Sequence, residues 1–375
     1  AQAADFQLKR AFVQNCIRMA VGDFSGFGLY EYGGRGQFEL IGVPWESKEA
    51  GAAKRQKRAG QPVLLYVHGW QPGACKNLAP EGFITPTEVY GVSQDVAEPW
   101  LTAGYRVLCF MWIPFADERD VATAEQKIWT SGPGRVQRRL NSEGSYQEVR
   151  DVGSMGEAFF EMYQQYVADA PRIHLAGHSL GCQMVGRLLE QLLEEKTLPQ
   201  RITLLDPYFT NFGKTYLNGR WPGERVREAV RQAADAGAAI EQVVSSAVLR
   251  NPLSDSNDEL RFYTAYFVLN PDFIRLAFGP GDVEVLAKRH SYARFAYFGS
   301  LTSGSEVEAA LDADKQERII GMAGRTDAHV RPMMTSERHW VQIDGCDRWD
   351  PTRLVFEPRG GSATSVRPKA VVQYA

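Results

Sequence analysis

The chain has 375 residues, 44% of them hydrophobic and 23% charged, with a formal charge of −3. That balance provides a sizeable core and argues against disorder. No apolar run approaches the ~20 residues of a bilayer span, so no transmembrane segment is expected, and no long basic run marks a nucleic-acid partner.

The densest basic cluster, Lys54 to Arg58, reads as a solvated loop. The start Ala1-Gln2-Ala3, without Met, suits the small-residue site left by a removed signal peptide, which predicts a secreted or periplasmic protein. There is no internal repeat and no low-complexity block.

Residues 6–45 predict short antiparallel strands around a Gly33-Gly34 turn. Apolar runs and helical patterns then alternate. Val63 to Val67 and Tyr105 to Trp112 predict strands. The segment 113–149 is rich in charge and glycine, lacks a period, and reads as an insertion near the site. Residues 150–168 have a helical period through Met155, Phe159, Met162 and Val167. Ile173 to Ala176 predicts a strand, Cys182 to Leu193 a helix, and Ile202 to Leu205 another strand. An amphipathic helix over 223–238 is followed by strands at Ile240 to Val244 and Phe262 to Leu269. Beyond about residue 302 the pattern weakens, with one more strand at Trp340 to Ile343 and a tail. Such alternation implies a mostly parallel sheet with helices on both faces. We expect one domain over 1–375, with a catalytic core at about 60–302, N-terminal strands at 6–45 and an extension at 303–375.

Of five cysteines, Cys109 and Cys182 read as buried small hydrophobes. Cys16, Cys75 and Cys346 leave material for one disulfide. No cysteine pair has zinc spacing and no His-Glu-x-x-His helix occurs, so neither a catalytic metal nor a cofactor is expected.

Gly177-His178-Ser179-Leu180-Gly181 is a G-x-S-x-G motif. It is placed directly after an apolar strand and directly before a helix carrying Met184, Val185, Leu188, Leu189 and Leu192. A nucleophile elbow demands that strand–turn–helix setting, and it makes Ser179 the candidate nucleophile. A tetrahedral intermediate needs two donors in place beforehand. The candidates are the backbone N–H groups of Leu180, after the nucleophile, and of Trp70, in the His68-Gly69-Trp70 turn that ends a strand. In the order nucleophile, acid, base, three histidines follow Ser179: His290, His329 and His339. By position His290 is favoured, because it follows the last strong strand and opens a helical segment running to Phe298. For the acid, Asp206 and Asp272 each end a strand and both stay open on position alone.

Together these residues resemble the pancreatic lipase family of α/β hydrolases over roughly residues 60 to 302. Ile173 to Gly181 is similar to the family's nucleophile strand and elbow, and His68-Gly69-Trp70 to its His-Gly-Phe oxyanion turn. Leu269-Asn270-Pro271 resembles the strand end that carries Tyr-Pro-Asn there, and His290 with Ala293, Tyr297, Phe298, Ser300 and Leu301 its catalytic histidine and following helix. Leu204-Leu205-Asp206-Pro207 looks like its Leu-Asp-Pro acid motif, which favours Asp206. The family's disulfide pattern is missing, and the 85 residues after His290 are too few for its lipid-binding β-sandwich. Residues 273–289 sit where the family has its lid, here a short apolar segment ending in Gly279-Pro280-Gly281 that reads equally as a small lid or as core.

The resemblance implies an α/β-hydrolase fold and a Ser179–His290–Asp206 hydrolase acting on carboxylic esters. A small-molecule or lipid acyl ester is the expected substrate. Acyl transfer or amide cleavage on the same fold is the alternative. A non-catalytic lipid carrier would have no use for the three catalytic residues.

Overall fold

The computed structural model describes residues 26–44, 60–76, 80–132, 137–139, 145–149, 153–248, 252–275, 283–301, 310–311, 317–334 and 338–360. The Lys54 to Arg58 cluster, Cys16, residues 6–25 and residues 276–282 of the lid position lie outside them.

The strands, in chain order, begin with β1 (Phe27–Tyr32), β2 (Phe38–Gly42), β3 (Val63–Val67) and β4 (Arg106–Trp112). After β4 come β5 (Gln137–Arg139), β6 (Tyr146–Glu148), β7 (Ile173–His178), β8 (Arg201–Leu205), β9 (Ala239–Val244) and β10 (Ala265–Val268). The last four are β11 (Ala310–Leu311), β12 (Glu317–Ile320), β13 (His339–Asp344) and β14 (Val355–Arg359). The main helices are α1 (Val121–Trp129), α2 (Met155–Tyr166), α3 (Gly181–Glu195), α4 (Pro222–Asp235), α5 (Val283–Gly299) and α6 (Asp327–Met334).

All strands but β5 and β6 join one sheet, in the order β11-β12-β14-β13-β10-β9-β8-β7-β3-β4-β1-β2. From β4 through β13 every pairing is parallel. β1 and β2 close one side as an antiparallel hairpin about the Gly33-Gly34 turn, and β14, β12 and β11 close the other antiparallel. Parallel strands buried on both faces read as unbroken apolar runs, and β3, β4 and β8 are buried at every residue. Helices α1 to α4 pack on one another, while α5 and α6 lie against β8, β9 and β10. A mostly parallel sheet covered by helices, with the Ser179 strand near its middle, is the α/β-hydrolase fold expected from the sequence.

Local signals explain the element ends. Ser154 accepts from the Glu157 N–H and the Glu157 side chain accepts from the Ser154 N–H, a capping box that starts α2. Asp120 caps α1 through the Thr123 N–H.

Four expectations need correction. Phe262 and Tyr263 belong to a 3₁₀ turn (Asp258–Tyr263), and the strand begins only at Ala265. An apolar run alone does not separate strand from buried turn. The segment 113–149 is not patternless. It holds a helical turn continuing β4 (Ile113–Ala116), then α1, then the β5–β6 hairpin. Beyond residue 302 the strand expected at Trp340 to Ile343 forms as β13 and adds to the parallel sheet beside β10, and β14 and β12, which were not expected, pair beyond it. Cys346 carries a free thiol, which removes it from the disulfide candidates, whereas the free, buried thiols of Cys109 and Cys182 are as expected.

A buried charge network fastens α5 to the sheet. Arg201, at the start of β8, pairs with Glu241 on β9 at 2.8 Å and with Asp327 on α6 at 3.2 Å. The Tyr297 hydroxyl on α5 donates to Glu241 and accepts from the Thr203 hydroxyl at 2.9 Å. A buried ion pair is costly to break from one side, so these contacts fix the helix that carries His290. Among the described residues no helix is long and apolar enough to cross a membrane.

Candidate active site

Ser179 follows β7 at the turn into α3, with φ +56°. A non-glycine residue in the left-handed region costs about 1–3 kcal/mol and persists only where its surroundings enforce it. The enforcement is visible. The Ser179 N–H donates to Leu205 O at 3.0 Å, and its carbonyl accepts from Cys182 N–H at 3.0 Å and Tyr208 N–H at 3.3 Å. The flanking glycines are required by contact. A Cβ on Gly177 would lie 2.5 Å from Gly181 O, and one on Gly181 would collide with Val67 O.

Asp206 follows β8, the strand beside β7. It is fully buried, and three donors meet its carboxylate. Oδ2 accepts from His290 Nδ1 at 2.7 Å and from the Ser246 hydroxyl at 2.5 Å, and Oδ1 accepts from the Ser245 N–H at 3.2 Å. The bond to Nδ1 fixes that nitrogen as the donor, leaving Nε2 with its lone pair. His290 is not at the start of a helix as expected. It sits inside α5, which begins at Val283. Burial, then the charge of His178, lower the His290 pKa, and the bond and charge of Asp206 work against them.

Of the other candidates, Asp272 lies in the turn after β10, where its N–H donates to Asn270 O at 2.8 Å. His329 is exposed on α6, and His339 is half-buried on β13 against Tyr266. Asp206 is the carboxylate that meets His290.

The His68-Gly69-Trp70 turn passes directly over the elbow. A Cβ on Gly69 would stand 2.6 Å from Ser179 Cβ and 2.9 Å from His178 O. The turn is held by rigid aromatic contacts. Trp70 Nε1 donates to Glu118 O at 2.9 Å. His68 Nε2 accepts from Trp112 N–H at 3.0 Å, and Trp112 Nε1 donates to His68 O at 2.8 Å. Burial lowers the His68 pKa to about 4, so the ring is neutral, with its proton on Nδ1 facing Gly69 O. At the other side of the elbow, among the described residues no acceptor meets the Leu180 N–H. An oxyanion site requires donors left open in this way.

Replacing Gly69 by Ala should therefore displace this turn from the nucleophile. The rate of any reaction at Ser179 is expected to fall ~10²-fold, the loss that a 1 Å misplacement can bring, with an unchanged far-ultraviolet spectrum. Full kcat/KM in that variant would remove the turn from the site.

Several residues here have little sequence signal. Ser245 and Ser246 follow an apolar strand as any turn residues do, and Glu81 sits in a Pro-Glu-Gly loop without period. The one available clue was the position of the two serines, at the end of the strand next to that of Asp206.

No protein family matches the sequence, and no curated protein matches it. Solved structures similar to it include TT1662 from Thermus thermophilus, at 14% identity, covering 64% of this chain and 90% of that one, with a TM-score of 0.29. A membrane phospholipase A described as a bacterial virulence factor is similar at 14% identity, over 63% of this chain and 54% of that one, with a TM-score of 0.22. A probable hydrolytic enzyme from Pseudomonas aeruginosa is similar at 15% identity, over 76% and 72% of the two chains, with a TM-score of 0.24. The fold assignment rests on the strand order and the elbow, independently of these likenesses.

Proposed function

We propose that this chain is a serine hydrolase that cleaves carboxylic esters, with lipid or acyl esters as its substrates. The observation that carries the reading is the 2.7 Å bond from His290 to Asp206 on the strand adjoining the strained Ser179 elbow. In this reading Ser179 attacks the ester carbonyl, His290 Nε2 takes its proton and returns it to the leaving alcohol, and Asp206 holds the tautomer and stabilises the cation. The N–H groups of Leu180 and Trp70 receive the oxyanion, and water hydrolyses the acyl-enzyme. The placement of the acid directly after the strand next to the nucleophile's supports the resemblance to pancreatic lipases.

Turnover of a short and a long acyl p-nitrophenyl ester by one preparation tests the reading. Cleavage of both, favouring the longer, is expected; cleavage of neither would overturn it.

The base must be neutral to accept a proton, so activity is lost as pH falls through the His290 pKa. Burial and the His178 charge lower that pKa. The acid limb of the kcat/KM profile should therefore lie below the usual imidazole range near ~6.5. A limb above that range would contradict the assignment of His290.

A further inference from the structure

A second carboxylate–histidine pair lies behind the proposed base, and the chemistry above makes no use of it. Glu81 comes from the loop after β3, His178 ends β7, and Arg294 lies on α5 one turn beyond His290. None of the three side chains is as much as a tenth exposed. His178 Nδ1 is 2.7 Å from Glu81 Oε1, and its Nε2 is 3.1 Å from the backbone carbonyl oxygen of His290. Glu81 also accepts from the Tyr66 hydroxyl and faces Arg294 at 3.5 Å.

Both ring nitrogens of His178 thus face acceptors. A backbone carbonyl only accepts. Glu81 does too in its ionised form, which the donated Tyr66 hydroxyl and the Arg294 guanidinium at 3.5 Å favour whatever the state of His178. Neither neutral tautomer of His178 satisfies both contacts; the doubly protonated ring does.

We propose that His178 is a resident imidazolium, paired with Glu81, that positions His290 and sets the charge felt by its ring. The proposal rests on His290 being the base. His178 is a positioning residue, one place before Ser179, so its bond to the His290 carbonyl ties the base's backbone to the nucleophile's own strand. Its ring lies 4.5 Å from the His290 ring, centroid to centroid, tilted by 37°. A cation there opposes protonation of His290, while Asp206, bonded to its Nδ1, favours it. The remaining titratable groups nearby leave this balance in place. His68, on the turn after β3, is neutral, and burial pushes the thiol of Cys182 on α3 up, so it carries no charge. Burial likewise pushes the Tyr66 hydroxyl up. Among the described residues Glu81 and Arg294 also bring charge to this place, and each counters the other.

Two measurements test this. The first is nitrogen-15 NMR of the histidine-labelled full chain at pH 8, with His178 assigned by its loss in His178→Gln, or by contact to the Glu81 loop if that variant does not fold. Two protonated ring nitrogens are expected for His178; a neutral-tautomer pattern overturns the proposal and needs no activity to be seen. The second is the rate of Ser179 labelling by a fluorophosphonate against pH, in wild type, His178→Gln and Glu81→Gln. Both variants remove the cation, the second by giving Nδ1 an amide donor. Each should move the acid limb to higher pH, raising the ratio of rates at pH 8 and pH 5.5 roughly ten-fold. A merely structural role lowers the rate without moving the limb, and an unmoved limb overturns the proposal. Wild type that never labels would sink the Ser179 reading instead, while the NMR result would still judge His178.

Discussion

Replacing Ser179 by alanine is expected to remove ester turnover by at least ~10³-fold, by analogy with other catalytic triads, and to leave the protein folded. The hydrogen bonds that hold the elbow run through the Ser179 backbone: its N–H to Leu205 O and its carbonyl from Cys182 and Tyr208. Alanine keeps all three. It also meets the same left-handed strain at φ +56°, so the substitution removes the hydroxyl and little else. The check is intact-mass analysis after fluorophosphonate treatment, with peptide mapping of the adduct, beside near-ultraviolet circular dichroism of the variant. An adduct on any residue but Ser179, or a variant that still turns over ester, would show that the nucleophile lies elsewhere.

The second large effect belongs to Asp206→Asn. The carboxylate receives three donors, from His290, Ser246 and the Ser245 N–H. An amide brings its own N–H₂ into a ring of donors. One contact is then lost and His290 is pushed toward the tautomer that presents a proton, not a lone pair, to Ser179. The same change in a serine-protease triad lowers kcat about 10⁴-fold, and a fall of that order is expected here. Stability should also drop by about 1–3 kcal/mol, the cost of leaving a buried polar group unsatisfied. Asp272→Asn is the internal control. That side chain lies in a turn, and its backbone bond to Asn270 does not depend on the carboxylate, so a change within about two-fold is expected. If Asp272→Asn proved the crippled variant and Asp206→Asn stayed active, the acid would lie on the later strand, outside the pancreatic-lipase pattern.

Much of the sheet is legible in the sequence because its central strands are buried on both faces. Val63–Val67, Arg106–Trp112 and Arg201–Leu205 are near-continuous apolar runs bounded by turn residues. The elbow is legible for a different reason, since its glycines are demanded by backbone contacts that no side chain tolerates. No amphipathic stripe marks the extent of α5, because from His290 onward it is buried nearly all round, with Ser291 and Arg294 inside. β12 and β14 carry Glu317, Arg318, Glu357, Pro358 and Arg359, which read as loop. Glu81 escapes notice because its partners Tyr66, His178 and Arg294 are brought to it only by tertiary packing.

The parallel joint between β10 and β13 bears on how the chain is made. Phe267 lies opposite Trp340 and Val268 opposite Val341, so the ribosome must deliver α5 and α6 before the outer edge of β10 finds its neighbour. Through that interval Ala265–Val268 presents open N–H and C=O groups at the rim of an otherwise assembled sheet, the kind of edge that recruits strands from other molecules. The elbow strand and the strands bearing Asp206 and Ser245 are already paired by then. The residues proposed to do the chemistry therefore come together in a nascent chain that is still open to aggregation, and the segment after α5, which adds none of them, is what closes it.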